Sequence, residues 1–169
     1  MGVLFPEDRD IENLKRVFDV VGSCPGESIV GDRLVIEDKP AREPVDVEGF
    51  AYRALQRCLG NFWVQSGPRF LENWAVGLRL ENPPPDRPPL LAAVREAKDP
   101  SLPEILEALI ACRDDREQVC SALGRVFDRK DVQDVIAVYL DEGDECTGYL
   151  IAGFIQNERS YAAVVSIWD

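Results

Sequence analysis

Three apolar, β-rich runs at residues 135–140, 149–155 and 161–168 are separated only by the short polar turns Asp141-Glu142-Gly143-Asp144-Glu145 and Gln156-Asn157-Glu158-Arg159-Ser160. Gaps this short return the chain as an antiparallel neighbour, because a parallel return needs a crossover of a dozen residues or more. A three-stranded meander is therefore expected at the C-terminal end of the sequence, and the rest of the fold must be built around it.

Upstream the apolar period is mostly helical. Ile11, Leu14, Val17, Phe18 and Val21 form one stripe from Asp8 onward, with Gly22 placed to stop it. Arg33-Leu34-Val35-Ile36-Glu37 reads as a short strand, and a second helix follows Asp46 to Leu59, terminated by Gly60. Trp74, Val76, Leu78 and Leu80 alternate with Ala75, Gly77, Arg79 and Glu81, which is strand spacing. Phe62-Trp63-Val64 is rich in β-formers and is expected to pair with that strand across Ser66-Gly67-Pro68; a helix over 68–78 is the competing reading.

Five prolines between residues 83 and 89 predict an extended, polyproline-II-like connector. Helices follow over residues 90–98, from Ser101 to Arg113 and from Asp115 to Phe127, the second with Ser101 and Glu104 spaced as a capping box. Together these elements predict one α+β domain over residues 1–169. Its sheet is expected to be mixed or mostly antiparallel, packed by about four to five helices.

Histidine is absent from the sequence, which removes Ser-His-Asp and Cys-His mechanisms and the commonest metal ligand. The glycines form no phosphate-binding loop, and the five scattered cysteines offer no Cys-x-x-Cys pair. Neither metal nor cofactor is expected. Cys24, beside Pro25-Gly26-Glu27, has mostly negative neighbours that oppose thiolate formation. Cys112 and Cys120 read as small core residues, and Phe62, Trp63, Phe70 and Trp74 as packing for the sheet. The first residues lack the basic region of a signal peptide, Pro6 spoils a myristoylation pattern, and no glycosylation sequon occurs. No apolar stretch approaches the roughly 20 residues of a membrane span. With the cysteine usage, these features predict a cytoplasmic protein.

Charge carries the functional reading. The formal net charge is −12, from 31 acidic and 19 basic residues, which argues against direct nucleic-acid binding. Seven acids, Asp128, Asp131, Asp134, Asp141, Glu142, Asp144 and Glu145, stand against Arg129 and Lys130 between residues 128 and 146. They are the candidate partner-binding residues; their spacing is not that of an EF-hand. The expectation is an acidic protein-binding module for a basic protein partner, in its sharpest form an immunity-type inhibitor or nucleic-acid mimic of a nuclease or other toxin or effector. Two alternatives remain open. One is a small histidine-independent enzyme or ligand-binding domain that uses carboxylates and tyrosines, with helices on one sheet face and a pocket on the other. The other is a subunit that buries a sheet edge against its partner.

Overall fold

The computed structural model describes residues 6–18, 31–143 and 146–168. Val21, Gly22, Cys24, Asp144 and Glu145 lie outside the described residues. Six helices and five strands follow in the order α1 (Pro6–Phe18), β1 (Gly31–Asp38), α2 (Val47–Leu59), α3 (Trp63–Glu72), β2 (Ala75–Leu80), α4 (Leu90–Arg95), α5 (Ser101–Ala111), α6 (Arg116–Phe127), β3 (Val132–Asp141), β4 (Thr147–Ile155) and β5 (Ser160–Trp168). The strands form one sheet in the order β1-β5-β4-β3-β2, and every neighbouring pair is antiparallel. The fold is α+β, with the expected meander as the middle of the sheet.

Both faces of that sheet are covered. On one face α1, α4, α5 and α6 pack Leu14, Leu90, Leu106 and Leu123 against Val135, Ala137, Tyr149, Ile151 and Val164. On the other, α2 and α3 pack Phe50, Leu55 and Phe70 against Ile136, Val138, Leu150, Ala163 and Val165. This explains the unbroken apolar runs of β3, β4 and β5: a strand buried on both faces has no polar side to alternate with. It also corrects the expectation of helices on one face and a pocket on the other. The second face is filled by α2 and α3.

Local sequence sets both ends of α2. Asp46 caps α2, its carboxylate accepting from the Gly49 N–H at 2.9 Å. Gly60 ends the helix at φ 51, a conformation that favours glycine. Three expectations are corrected. Phe62-Trp63-Val64 is not a strand: it runs through a 3-10 turn at Gly60–Phe62 into α3, which carries Ser66, Gly67 and Pro68 in its interior. The β2 strand pairs with β3 instead.

Ser101 is not the cap of α5. Pro100 holds the cap position, its carbonyl accepting from the Glu104 N–H at 3.2 Å, and the Ser101 N–H donates to the Asp99 carboxylate at 2.9 Å. Nor is the proline segment simply extended. It turns back at Pro83–Asp86, where the Asp86 N–H donates to the Pro83 carbonyl at 3.2 Å across a cis Pro84–Pro85 bond. The turn delivers Arg87 into the interior, where it donates to the carbonyls of Phe127 and Val132 and ties the connector to the junction of α6 and β3.

Candidate functional site

Of the seven candidate acids, the five among the described residues fall at two separate ends of β3. β3 runs from Val132 to Asp141, and at about 3.3 Å per residue this separates its two ends by roughly 30 Å. Asp128, Asp131 and Asp134 belong to the first end, and Asp141 and Glu142 to the second. Two of the first group, Asp128 and Asp131, are engaged in structural contacts. Asp128 accepts from the Leu90 N–H at 2.8 Å at the start of α4, and burial pushes its carboxyl above the ordinary range. Asp131 holds Arg129 through two hydrogen bonds at 2.9 and 2.7 Å. Asp134 sits at φ 55 beside a register shift in β3; burial first, then Glu81, raises its carboxyl.

The second end is different, because the fold brings in acids from elsewhere. Tyr139 is half-buried against the helices of the first face, with α5 packed over β3. Its phenol is pushed above the usual value by burial and then by three carboxylates, Asp141, Asp99 and Glu104. Asp99 and Glu104 come from the start of α5 and Asp141 from the last position of β3. The turn beyond is built by its own contacts. Asp141 accepts from the Gly143 N–H at 2.8 Å through its side chain and from Asn73 Nδ2 at 3.1 Å through its carbonyl.

Ala75 pairs with Tyr139, so the start of β2 lies alongside this acidic group. Trp74 packs on the opposite sheet face from Tyr139, its ring 4.4 Å from that of Tyr52, which is 37% exposed. Glu48 accepts from Trp74 Nε1 at 3.1 Å and from Arg79 at 2.9 Å. Burial, Glu48 and Asp46 all raise the Tyr52 phenol. The end of the β2–β3 pair is thus flanked on both faces by aromatic rings set among carboxylates, an arrangement suited to cationic side chains.

A second polar group lies inside the protein at the β1 end of the sheet. Asp32, 7% exposed, accepts from the Ser166 hydroxyl and pairs with Arg113 at 3.0 Å. Arg113 also holds Asp115 at 2.8 Å and the Val17 carbonyl at 2.6 Å, and it lies 5.7 Å from the centre of the Phe18 ring. Trp168 Nε1 donates to Ser166 at 2.9 Å. Burial pushes Asp32 up despite Ser166 and Arg113, and burial also raises the neighbouring Tyr149 phenol. Shifted acids of this kind mark functional sites when they face a cavity. Here they join β1, β5, α1 and the segment before α6.

A groove of about 610 Å³ runs between α4, α5 and α6, with Leu91, Val94, Leu106, Ile110 and Cys120 in its walls. Asp32, Ser166 and Tyr149 do not line it. A second groove of about 550 Å³ is bordered by Val17 and Asp115, the residues that Arg113 binds, and Asp32 and Tyr149 do not line it either. Among the described residues no three of His, Cys, Asp and Glu are grouped as a metal site, and no helix is long and apolar enough to cross a membrane. Cys120 packs beside the first core, as expected, whereas Cys112 is exposed rather than a core residue. No protein-family model, curated protein or solved structure matches the chain.

Asp99 and Glu104 were not among the sequence candidates. The signal was present in the first turn of α5, where acids favour the helix dipole, but only the packing of α5 on β3 joins them to Asp141.

Proposed function

We propose that the protein is an acidic binding module that engages a basic region of a partner protein through the end of the β2–β3 pair. The observation that supports it is the seating of the first turn of α5 at this end of the sheet: a Cβ at Gly77 would stand 2.9 Å from Leu102, which brings Asp99 and Glu104 toward the Tyr139–Asp141 end of β3. A field built from two elements and backed by a net charge of −12 attracts a Lys- or Arg-rich surface, and the rings of Tyr139, Tyr52 and Trp74 supply area for desolvated contacts. Glu142 extends the patch. Asp128 and Asp131 act as structural residues at the far end of β3. Antagonism of a basic nuclease or other effector is the narrower form of this reading, in a cytoplasmic setting.

The test compares two variants of equal charge change. The immobilised protein should capture a basic partner at low ionic strength and release it near about 0.5 M salt, where charges are screened within a few ångströms. Neutralising the patch with Asp99→Asn, Glu104→Gln and Asp141→Asn should abolish capture. Neutralising Asp10, Glu12 and Glu117 on α1 and α6 in the same way should leave it largely intact. Equal loss in both variants, or capture indifferent to salt, would refute the proposal.

A further inference from the structure

The opposite edge of the sheet carries an independent message. β1 pairs with β5 on one side only among the described residues. The Lys39 N–H donates to the Arg159 carbonyl at 2.8 Å, continuing that ladder. Because successive residues of a strand direct their backbone groups to opposite sides, Arg33, Val35 and Glu37 bond toward β5, as Lys39 does. Asp32, Leu34, Ile36 and Asp38 then present their N–H and C=O groups outward. Such an edge is a template for another strand.

Its side chains favour one partner in one register. Antiparallel pairing of β1 with its own copy about Val35 sets Arg33 opposite Glu37 of the second copy, Leu34 opposite Ile36, and Asp38 opposite Asp32, whose carboxylate is buried on Arg113 and Ser166. Centring the pair one residue either way, on Leu34 or Ile36, loses the Arg–Glu match; centring on Ile36 also sets Arg33 opposite Lys39. The residues concerned are available. Arg33 is exposed and has no ion-pair partner among the described residues. Ile36 is 41% exposed, one of four large apolar side chains so exposed among the described residues.

Glu37 is already held in place by Arg53 at 2.9 Å and Arg57 at 3.7 Å, so its carboxylate is positioned before a partner arrives. Arg33 and Glu37 would meet at non-hydrogen-bonded positions, where facing side chains come closest. We infer that the protein forms a symmetric homodimer by antiparallel pairing of two β1 strands about Val35, giving one continuous sheet of ten strands. The acidic ends at β2 then lie at the two outer edges of the dimer, free to bind one partner each.

Sedimentation equilibrium of the full chain, from about 1 to about 100 µM, tests this directly. The expected result is a concentration-dependent dimer. Arg33→Glu, which sets like charges opposite at both rims, should weaken it about tenfold or more, and so should Ile36→Lys. Mixing Arg33→Glu with Glu37→Arg should restore dimers, because each mixed rim then carries one acid and one base. A monomer across the whole range overturns the inference. So does a dimer unchanged by both Arg33→Glu and Ile36→Lys, which would lie on another surface. The acidic-patch triple variant should dimerise like the wild type, which keeps this result separate from the partner-binding test.

Discussion

Replacing Arg113 with methionine tests what the buried polar group does. The substitution keeps much of the side-chain volume but removes the cation from Asp32, which stays 7% exposed and held by the Ser166 hydroxyl. Removing one partner of a buried ion pair costs about 3–5 kcal/mol. The Arg113 side chain is 18% exposed and Ser166 remains, so the lower end applies, about 3 kcal/mol including the loss of the Val17 carbonyl contact. For a domain of this size that is a fall in Tm of about 6–12 °C.

The pH dependence has a definite sign. Burial already holds the Asp32 carboxyl above its unfolded value, and Arg113 opposes that rise. An acid raised on folding contributes stability below its unfolded pKa, and this is lost as pH rises through the folded value. Without Arg113 the folded value climbs further. The deficit of the variant relative to the wild type should therefore be largest near pH 7 and shrink toward about pH 5. Urea denaturation at both pH values measures it, and adding Asp32→Asn should recover more than half of the loss at pH 7. A deficit below about 1 kcal/mol, a pH-independent deficit or no recovery with Asp32→Asn would refute the assignment.

Two further substitutions probe other features. Asp134→Asn should leave Tm unchanged or raise it by roughly 1–3 °C, because asparagine suits φ 55 and removes a carboxylate that burial and Glu81 both disfavour. The gain should be greater at pH 7 than under mild acid, and thermal melts showing a loss of several degrees would contradict it. Gly148→Ala would place a methyl group 1.9 Å from the Ser166 carbonyl oxygen, whereas at Gly60 nothing lies within 4 Å and only the positive φ resists. Denaturation should show a loss of about 3 kcal/mol or complete unfolding for Gly148→Ala, against roughly 1–2 kcal/mol for Gly60→Ala; equal losses would count against the close strand approach.

The elements with one dominant local signal were legible in the sequence. Asp46 and Gly60 bracket α2, and the two short turns set the antiparallel order of β3, β4 and β5. At residues 62–64 the β-propensity of Trp63 and Val64 is overridden by a longer helical pattern. Trp63, Gly67, Phe70 and Trp74 recur at helical spacing, and a Cβ at Gly67 would stand only 2.6 Å from the Trp63 ring. At the start of α5, Ser101 is the first helical residue after Pro100, so its N–H donates to the Asp99 carboxylate and its hydroxyl does not cap the helix. The candidate site was only half legible: Asp141 stood out by local density, but proximity along the chain placed it with Asp128 and Asp131 rather than with Asp99 and Glu104.

The order of the sheet has a consequence for the chain during its synthesis. Among the described strands, β1 and β2 are made before the three that lie between them in the sheet, β3, β4 and β5, yet occupy its two outer positions. Among the described strands, β2 gains its neighbour only once β3 (132–141) has emerged and β1 only once β5 (160–168) has, so the helices before them have no complete sheet to cover until then. The hairpins of β3, β4 and β5 are the scaffold that both earlier strands join. A chain stopped before Ser160 loses the only strand that β1 joins among the described residues, so its apolar surface is left to chaperones or to aggregation.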